Sequence, residues 1–335
     1  MSDRNTLFSR ILTFSVFLAL IVIVLGAYTR LSDAGLGCPD WPGCYGQLTV
    51  PDELTTDEFD RPLEKAKAWK EMVHRYVAGT LGILVLLIVF MVIRKMPKMK
   101  QTLTLPLILL ATITFQALLG MWTVTLLLSP LIVSAHLVGG FTTLSLLWWL
   151  RLNQMQRSDS SFIPSLNDPT VLLKSASLLA LILVIFQILL GGWTSSNYAA
   201  LACGTEFPTC ASSWWPNMNL GNGFDLSHKP GVNYEFGVLD SPARTAIHYI
   251  HRVGALVVFT YCFLFSIFLM KWVPSMKRVG GVLLFVLLIQ VSLGIMNVVL
   301  ALPLSVSVLH NLVATLLLLT VLSINHTVFI QGDKQ

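Results

Sequence analysis

Two five-residue stretches, Glu71-Met72-Val73-His74-Arg75 and His248-Tyr249-Ile250-His251-Arg252, each stand at the head of a long apolar run. Ionisable groups are costly at the edge of a bilayer and usually mark function there. In a helix, Glu71 and His74 are three positions apart and share a face, as do His248 and His251. The rest of the chain reads as two copies of a scaffold built around these turns.

The 335 residues are 55% hydrophobic and 12% charged, with a mean hydropathy of +0.73. Soluble domains do not reach that balance; it belongs to a polytopic membrane protein surrounded by lipid. The net charge of +5 needs no nucleic acid as partner, since Lys and Arg fall in short segments between apolar runs. Runs of the roughly 20 residues that cross a bilayer lie at about 11–29, 69–93, 103–125, 131–151, 170–193, 246–271, 279–300 and 305–330. The first has no clear small-x-small cleavage site and is followed by the others, so it is expected to be a retained span. All should be helices, because lipid offers no partner to an open strand edge.

Orientation follows from the basic residues. Arg4, Arg10, Arg94, Lys95, Lys98, Lys100, Arg151, Arg157, Lys271, Lys277, Arg278 and Lys334 fall on one side of the spans. The connections near 126–130 and 301–304 carry no charge, and the loop 30–68 is acidic on balance through Asp52, Glu53, Asp57, Glu58, Asp60 and Glu64. With the positive side inward, both termini are cytoplasmic and the long loops, about 30–68 and 194–245, face outward.

The chain also repeats itself. Leu25-Gly26-Ala27-Tyr28-Thr29 matches Leu190-Gly191-Gly192-Trp193-Thr194, and Cys38 and Cys203 each follow their glycine by twelve residues. Gln116-Ala117-Leu118-Leu119-Gly120 matches Gln290-Val291-Ser292-Leu293-Gly294, each followed by a proline (Pro130, Pro303) and a histidine (His136, His310). The expected architecture is all-α and integral to the membrane. Eight transmembrane helices form two tandem, parallel four-helix bundles, residues 1–157 and 158–335.

His74, His136, His251 and His310 lie roughly 7–14 Å below the outer helix ends at 1.5 Å per residue. A bundle whose facing helices each project a histidine is suited to hold a haem iron from both sides. Zinc is less suited, with two imidazoles per half and no converging thiolates or carboxylates. The plainer alternative, histidines that only bond helix to helix, fits one such residue better than four in matched places. His228 reads as a solvated loop residue, His326 as an interfacial one, and His248 as a neighbour of His251.

Glu71 is the one acid beside a repeated histidine, and position 248 in the second copy is not acidic. It is either the reacting acid/base or a first-turn glutamate favoured by the helix dipole. Arg75 and Arg252 either pair with haem propionates or snorkel to the outer surface. Cys38 with Cys44, and Cys203 with Cys210, read as disulfides in an oxidising compartment, with a metal site or a cycling dithiol as alternatives. Cys262 reads as a buried apolar residue, and Gln116 and Gln290 as interhelix hydrogen-bonding groups. The loop 211–239 contains no motif that assigns it a role.

Tyr28-Thr29-Arg30-Leu31-Ser32-Asp33-Ala34-Gly35-Leu36, Cys38-Pro39-Asp40-Trp41-Pro42, Glu71-Met72-Val73-His74-Arg75 and the later histidines resemble the bacterial heme A synthase family, along essentially the whole chain. The resemblance implies a bacterial inner-membrane enzyme that oxidises a methyl group of haem O to the formyl group of haem A. It implies haem O as substrate between His74 and His136, and haem b as cofactor ligated by His251 and His310. Glu71 takes the place of the family's catalytic acid, and Cys38–Cys44 and Cys203–Cys210 the places of its disulfides. The implied partners are haem O synthase and oxidase assembly factors, together with an electron partner that the sequence does not name; a homo-oligomer is compatible with it. Two other readings compete: a two-haem membrane cytochrome in quinone-linked electron transfer, and a haem carrier or chaperone without turnover. Four histidines in one leaflet argue against electron transfer across the membrane, and an acid in one half only argues for turnover.

Overall fold

The computed structural model describes residues 3–54, 59, 61–99, 102–158, 170–227, 229 and 231–330. His228, Lys100, Lys334, Asp57, Glu58 and Asp60, which the sequence reading used, lie outside the described residues. The elements are α1 (Asp3–Leu31), α2 (Lys65–Met99), α3 (Thr104–Thr125), α4 (Pro130–Ser158), α5 (Val171–Ser196), α6 (Leu220–Gly223), α7 (Ser241–Trp272), α8 (Lys277–Val299) and α9 (Leu304–Ile330), with a 3-10 turn at Pro274–Met276. Eight of these helices, all but α6, are long and apolar enough to cross a membrane. Among the described residues no strand forms, only the isolated bridges Cys44–Gln47 and Cys210–Ser213.

Several helices outrun their apolar cores. α1, α2 and α7 begin at Asp3, Lys65 and Ser241, where polar first turns leave their unbonded N–H groups to water or caps. Pro130 heads α4 and Pro242 lies in the first turn of α7, where a missing N–H costs nothing. The turns before α4 and α9 share one conformation. Leu127 and Leu128 have φ of 49° and 61°, and Ala301 and Leu302 have 55° and 64°. In each turn the second left-handed residue donates five residues back, Leu128 N to Thr123 O at 2.8 Å and Leu302 N to Asn297 O at 2.7 Å. That bond caps orphan carbonyls at the end of α3 and α8.

The chain divides into two compact units. The first is Met1–Leu147 with Ser195–Tyr198 and Phe224–Asp240; the second is Trp148–Thr194 with Ala199–Gly223 and Ser241–Gln335. In the first unit α1 packs on α2 and α2 on α3; in the second, α7 packs on α6 and α8, and α8 on α9. Phe8, Leu12, Ile88, Leu109 and Leu144 are fully buried in the first unit, and Leu150, Ile247, Leu269, Met276 and Leu283 in the second. Large apolar residues such as Phe14, Ile83, Phe90, Phe186, Leu256 and Phe285 stay exposed along the helices. An apolar outer surface of that extent is a lipid-facing one. In lipid the gain of about 25 cal/mol/Å² for leaving water is absent, so close packing holds helix to helix.

The segment without a motif has a place after all. Tyr234 N donates to Leu127 O at 3.0 Å, and Arg61 pairs with Glu235 at 3.2 Å. Tyr234 and Val232 pack with Leu36, Val124 and Leu128. Arg30 donates to the carbonyl of Ser195, and its guanidinium lies 4.0 Å from the centre of the Tyr198 ring. Stretches from the middle of the chain therefore complete the first unit.

Candidate active site

Each of the four repeated histidines rests against a glycine of the preceding spanning helix. A Cβ on Gly26 would stand 3.0 Å from His74 Cε1, and one on Gly120 3.2 Å from His136 Cε1. On Gly191 it would stand 3.3 Å from His251 Cε1, and on Gly294 3.1 Å from His310 Cε1. These distances are tighter than side chains normally adopt, so the glycines form notches that admit the rings. The backbone carbonyls of Val22, Gln116 and Gln290, one turn before the glycines, face the rings of His74, His136 and His310. In none of these three does Nδ1 complete a hydrogen bond of normal geometry.

Glutamines one turn from the glycine add a second contact. Gln116 Nε2 donates to His136 O at 2.6 Å. Gln187 Nε2 donates to His251 O at 3.0 Å and lies 3.1 Å from His251 Nδ1. Gln290 Nε2 lies 3.3 Å from His310 Nε2. The expectation that Gln116 and Gln290 bond helix to helix thus becomes specific: both bond to a histidine. Gln187 escaped the sequence reading, although the signal was there. Gln-x-x-Leu-Gly occurs at 116–120, 187–191 and 290–294, whereas α1 carries Val22-Ile23-Val24-Leu25-Gly26 in the matching place.

Glu71 is buried beside His74. Its Oε2 accepts from the Cys38 N–H at 3.0 Å, and its Oε1 pairs with Arg75. Arg75 also donates to the carbonyls of Asp40 at 2.9 Å and Gly43. Position 37 must be glycine, because a Cβ there would come within 2.6 Å of the Lys67 backbone. The Cys38–Cys44 disulfide closes the loop that this pair grips. In the second unit His248 occupies the corresponding position. The Cys203 N–H points at His248 Nδ1 at 3.3 Å, and Arg252 Nε at His248 Nε2 at 3.2 Å. Arg252 also reaches the carbonyls of Thr209 and Glu206 at 2.9 and 3.1 Å, and Cys203–Cys210 closes that loop. A neutral imidazole offers one acceptor, whereas a carboxylate takes both donors. Both arginines are engaged with loop carbonyls, a role the sequence reading did not weigh.

The two disulfide loops follow one plan. An acid four residues before the second cysteine caps the turn: Asp40 accepts from Tyr45 N at 2.7 Å and Gly46 N at 2.9 Å. Glu206 accepts from Ser212 N at 2.6 Å and from the Ser212 hydroxyl at 2.9 Å. Those bonds, the backbone one foremost, hold the Glu206 carboxyl below its ordinary range. The pattern is legible as Asp40-Trp41-Pro42-Gly43-Cys44 and Glu206-Phe207-Pro208-Thr209-Cys210.

Among the described residues no three His, Cys, Asp or Glu side chains converge as a metal cage. Two imidazoles per half, each in a glycine notch with a ring nitrogen short of partners in three of four, fit a porphyrin that brings its own equatorial donors. His326, near the C-terminal end of α9, is 1% exposed. It bonds Asn153 at 2.8 Å and meets the Trp149 ring edge-on at 4.9 Å, because α9 packs its C-terminal end inside the second unit. Cys262 is buried and unpaired, as expected.

The model of the COX15-CtaA family, described as cytochrome oxidase assembly protein, matches residues 9–322. The chain belongs to that family. It is 45% identical to the heme A synthase of Shewanella oneidensis over 94% of this chain and 95% of that protein. It is 25% identical to the heme A synthase of Flavobacterium psychrophilum, over 91% and 93% of the two chains. With that of Rhizobium rhizogenes the identity is 27%, over 92% and 86%.

Proposed function

We propose that this chain is a membrane oxidoreductase with heme A synthase activity, converting a methyl group of haem O to the formyl group of haem A by way of a hydroxymethyl stage. The first half, residues 1–157, takes haem O between His74 and His136. The second half, residues 158–335, holds haem b between His251 and His310. When bound, haem b supplies one-electron redox chemistry. The halves are tandem parallel copies, with both termini cytoplasmic and both disulfide loops on the outer side of a bacterial inner membrane. The recurring glycine–histidine contacts and the recurring loop plan support the duplication.

The observation that carries the reading is Glu71, buried one turn from His74. Glu71 accepts from the Cys38 N–H and Arg75, and the Gly37 N–H is also directed at it, which leaves part of a carboxylate's lone-pair capacity unused. Either oxygen can still accept a proton from the methyl-derived alcohol or stabilise positive charge developing there. Arg75 and the Cys38 loop keep the carboxylate at fixed depth. Haem O comes from the synthase that makes it, and the product passes to oxidase assembly factors; an electron partner and self-association complete the scheme.

The test is expression in a host that makes haem O but no haem A, followed by extraction and chromatography of the haems. Haem A or its hydroxymethyl precursor is the expected product. Haem B alone would identify a cytochrome, and unchanged bound haem O a carrier.

A further inference from the structure

At the level of the rings, two differences between the α1–α2 pair and the α5–α7 pair bear on the histidines. One is Glu71 against His248. The other is Val22 against Gln187, each four residues before the glycine that receives the ring. Gln187 grips His251 through its backbone oxygen at 3.0 Å and touches its Nδ1 at 3.1 Å. Val22 has only its backbone carbonyl to offer His74. Gln187 Oε1 is buried without a partner and lies over Gly254, three residues past His251. Val77 stands at the corresponding distance from His74.

The chemistry of the ring gives that difference a consequence. An imidazole that binds iron through Nε2 carries its proton on Nδ1 and needs an acceptor there. The amide of Gln187 holds an unused acceptor oxygen, and rotating the amide brings that oxygen to Nδ1 in exchange for the Nε2 bond to His251 O. Resting on the assignment of haem b to His251 and of haem O to His74, we propose that Gln187 is a positioning residue. It fixes the His251 ring and sets its donor strength. Val22, in the matching place, leaves the His74 ring without a side-chain hold, so that the haem it faces can be exchanged. One half keeps its haem and the other releases it.

Three variants test this: Gln187→Leu, Gln187→Glu and Val22→Gln. In detergent-purified protein with haem b bound, the midpoint potential and the low-spin electron paramagnetic resonance signal are read. Gln187→Leu removes the acceptor and should move the potential positive. Gln187→Glu strengthens it, gives the ring imidazolate character and should move the potential negative. Two variants that shift the same way, or not at all, overturn the proposal, since a merely structural role would not reverse sign with the acceptor. Val22→Gln should slow transfer of haem O from the protein to apomyoglobin by roughly threefold to tenfold, the worth of one buried hydrogen bond. An unchanged transfer rate overturns the part concerning Val22. If the parent protein shows no low-spin haem b signal that depends on His251, the haem assignment itself has failed, a result distinct from either of these.

Discussion

At the scale of single residues, Glu71 is both a grip on the Cys38 loop and the acid nearest His74. The two roles call for a variant that keeps the shape. Glu71→Gln retains an acceptor for the Cys38 N–H and should preserve bound haem while lowering haem A formation by roughly 10²–10⁴-fold. Normal haem A on chromatography would remove Glu71 from the chemistry. Glu71→Ala is the harsher change, because it strips Arg75 of its buried counter-charge. The notch glycines make a second prediction. Gly191→Ala forces a Cβ to within 3.3 Å of His251 Cε1, an overpacking that costs about 1–3 kcal/mol. Haem b content per protein, read by pyridine haemochrome, should fall. The histidines and Glu71 were legible in the sequence because charge inside an apolar run is conspicuous. Gln187 and the notch glycines stand in repeated motifs, but their hold on the rings was not legible, because small and neutral polar residues are ordinary in membrane helices until a ring is seen against them.

The elements were legible to the extent that hydropathy governs them. Every apolar run became a helix, because the backbone has no other way to satisfy itself in lipid. The ends were less legible, as at Asp3 and Ser241, where helix continues into water on capping and loop contacts that hydropathy does not register. The loops obey hydrogen-bond chemistry instead, and the Glu206 turn offers a pH test. Its carboxyl is held below the ordinary range by Ser212. The carboxylate therefore supports the folded loop above the unfolded pKa, and that support is lost as pH falls through the lowered folded value. The protection of the Ser212 amide, its exchange rate relative to the intrinsic rate at the same pH, should fall on acidification, and Glu206→Gln should abolish that fall. An acid response that persists in Glu206→Gln would place its origin elsewhere.

At the scale of the molecule, the least legible feature is the contribution of Ser195–Tyr198 and Phe224–Asp240 to the first unit. The loop has no motif, and its hold rests on Tyr234 and Tyr198, one ion pair and hydrogen bonds to backbone carbonyls. A fragment of residues 1–157 produced in membranes should therefore be cleaved more readily near Leu36 and Leu128 than the whole chain. Co-production of residues 158–335 should restore resistance. Equal resistance of the fragment alone would mean that the first unit closes without these pieces.

That same borrowing sets a clock on birth at the ribosome. The half proposed to take the substrate cannot be finished when its own helices have left the ribosome. It waits for residues 148–240, on the order of ten seconds of synthesis at the usual pace of elongation. During that interval Leu36, Val124 and Leu128 lack Tyr234 and Val232. A nascent chain would thus stand open on that side while α5 is still being threaded into the bilayer.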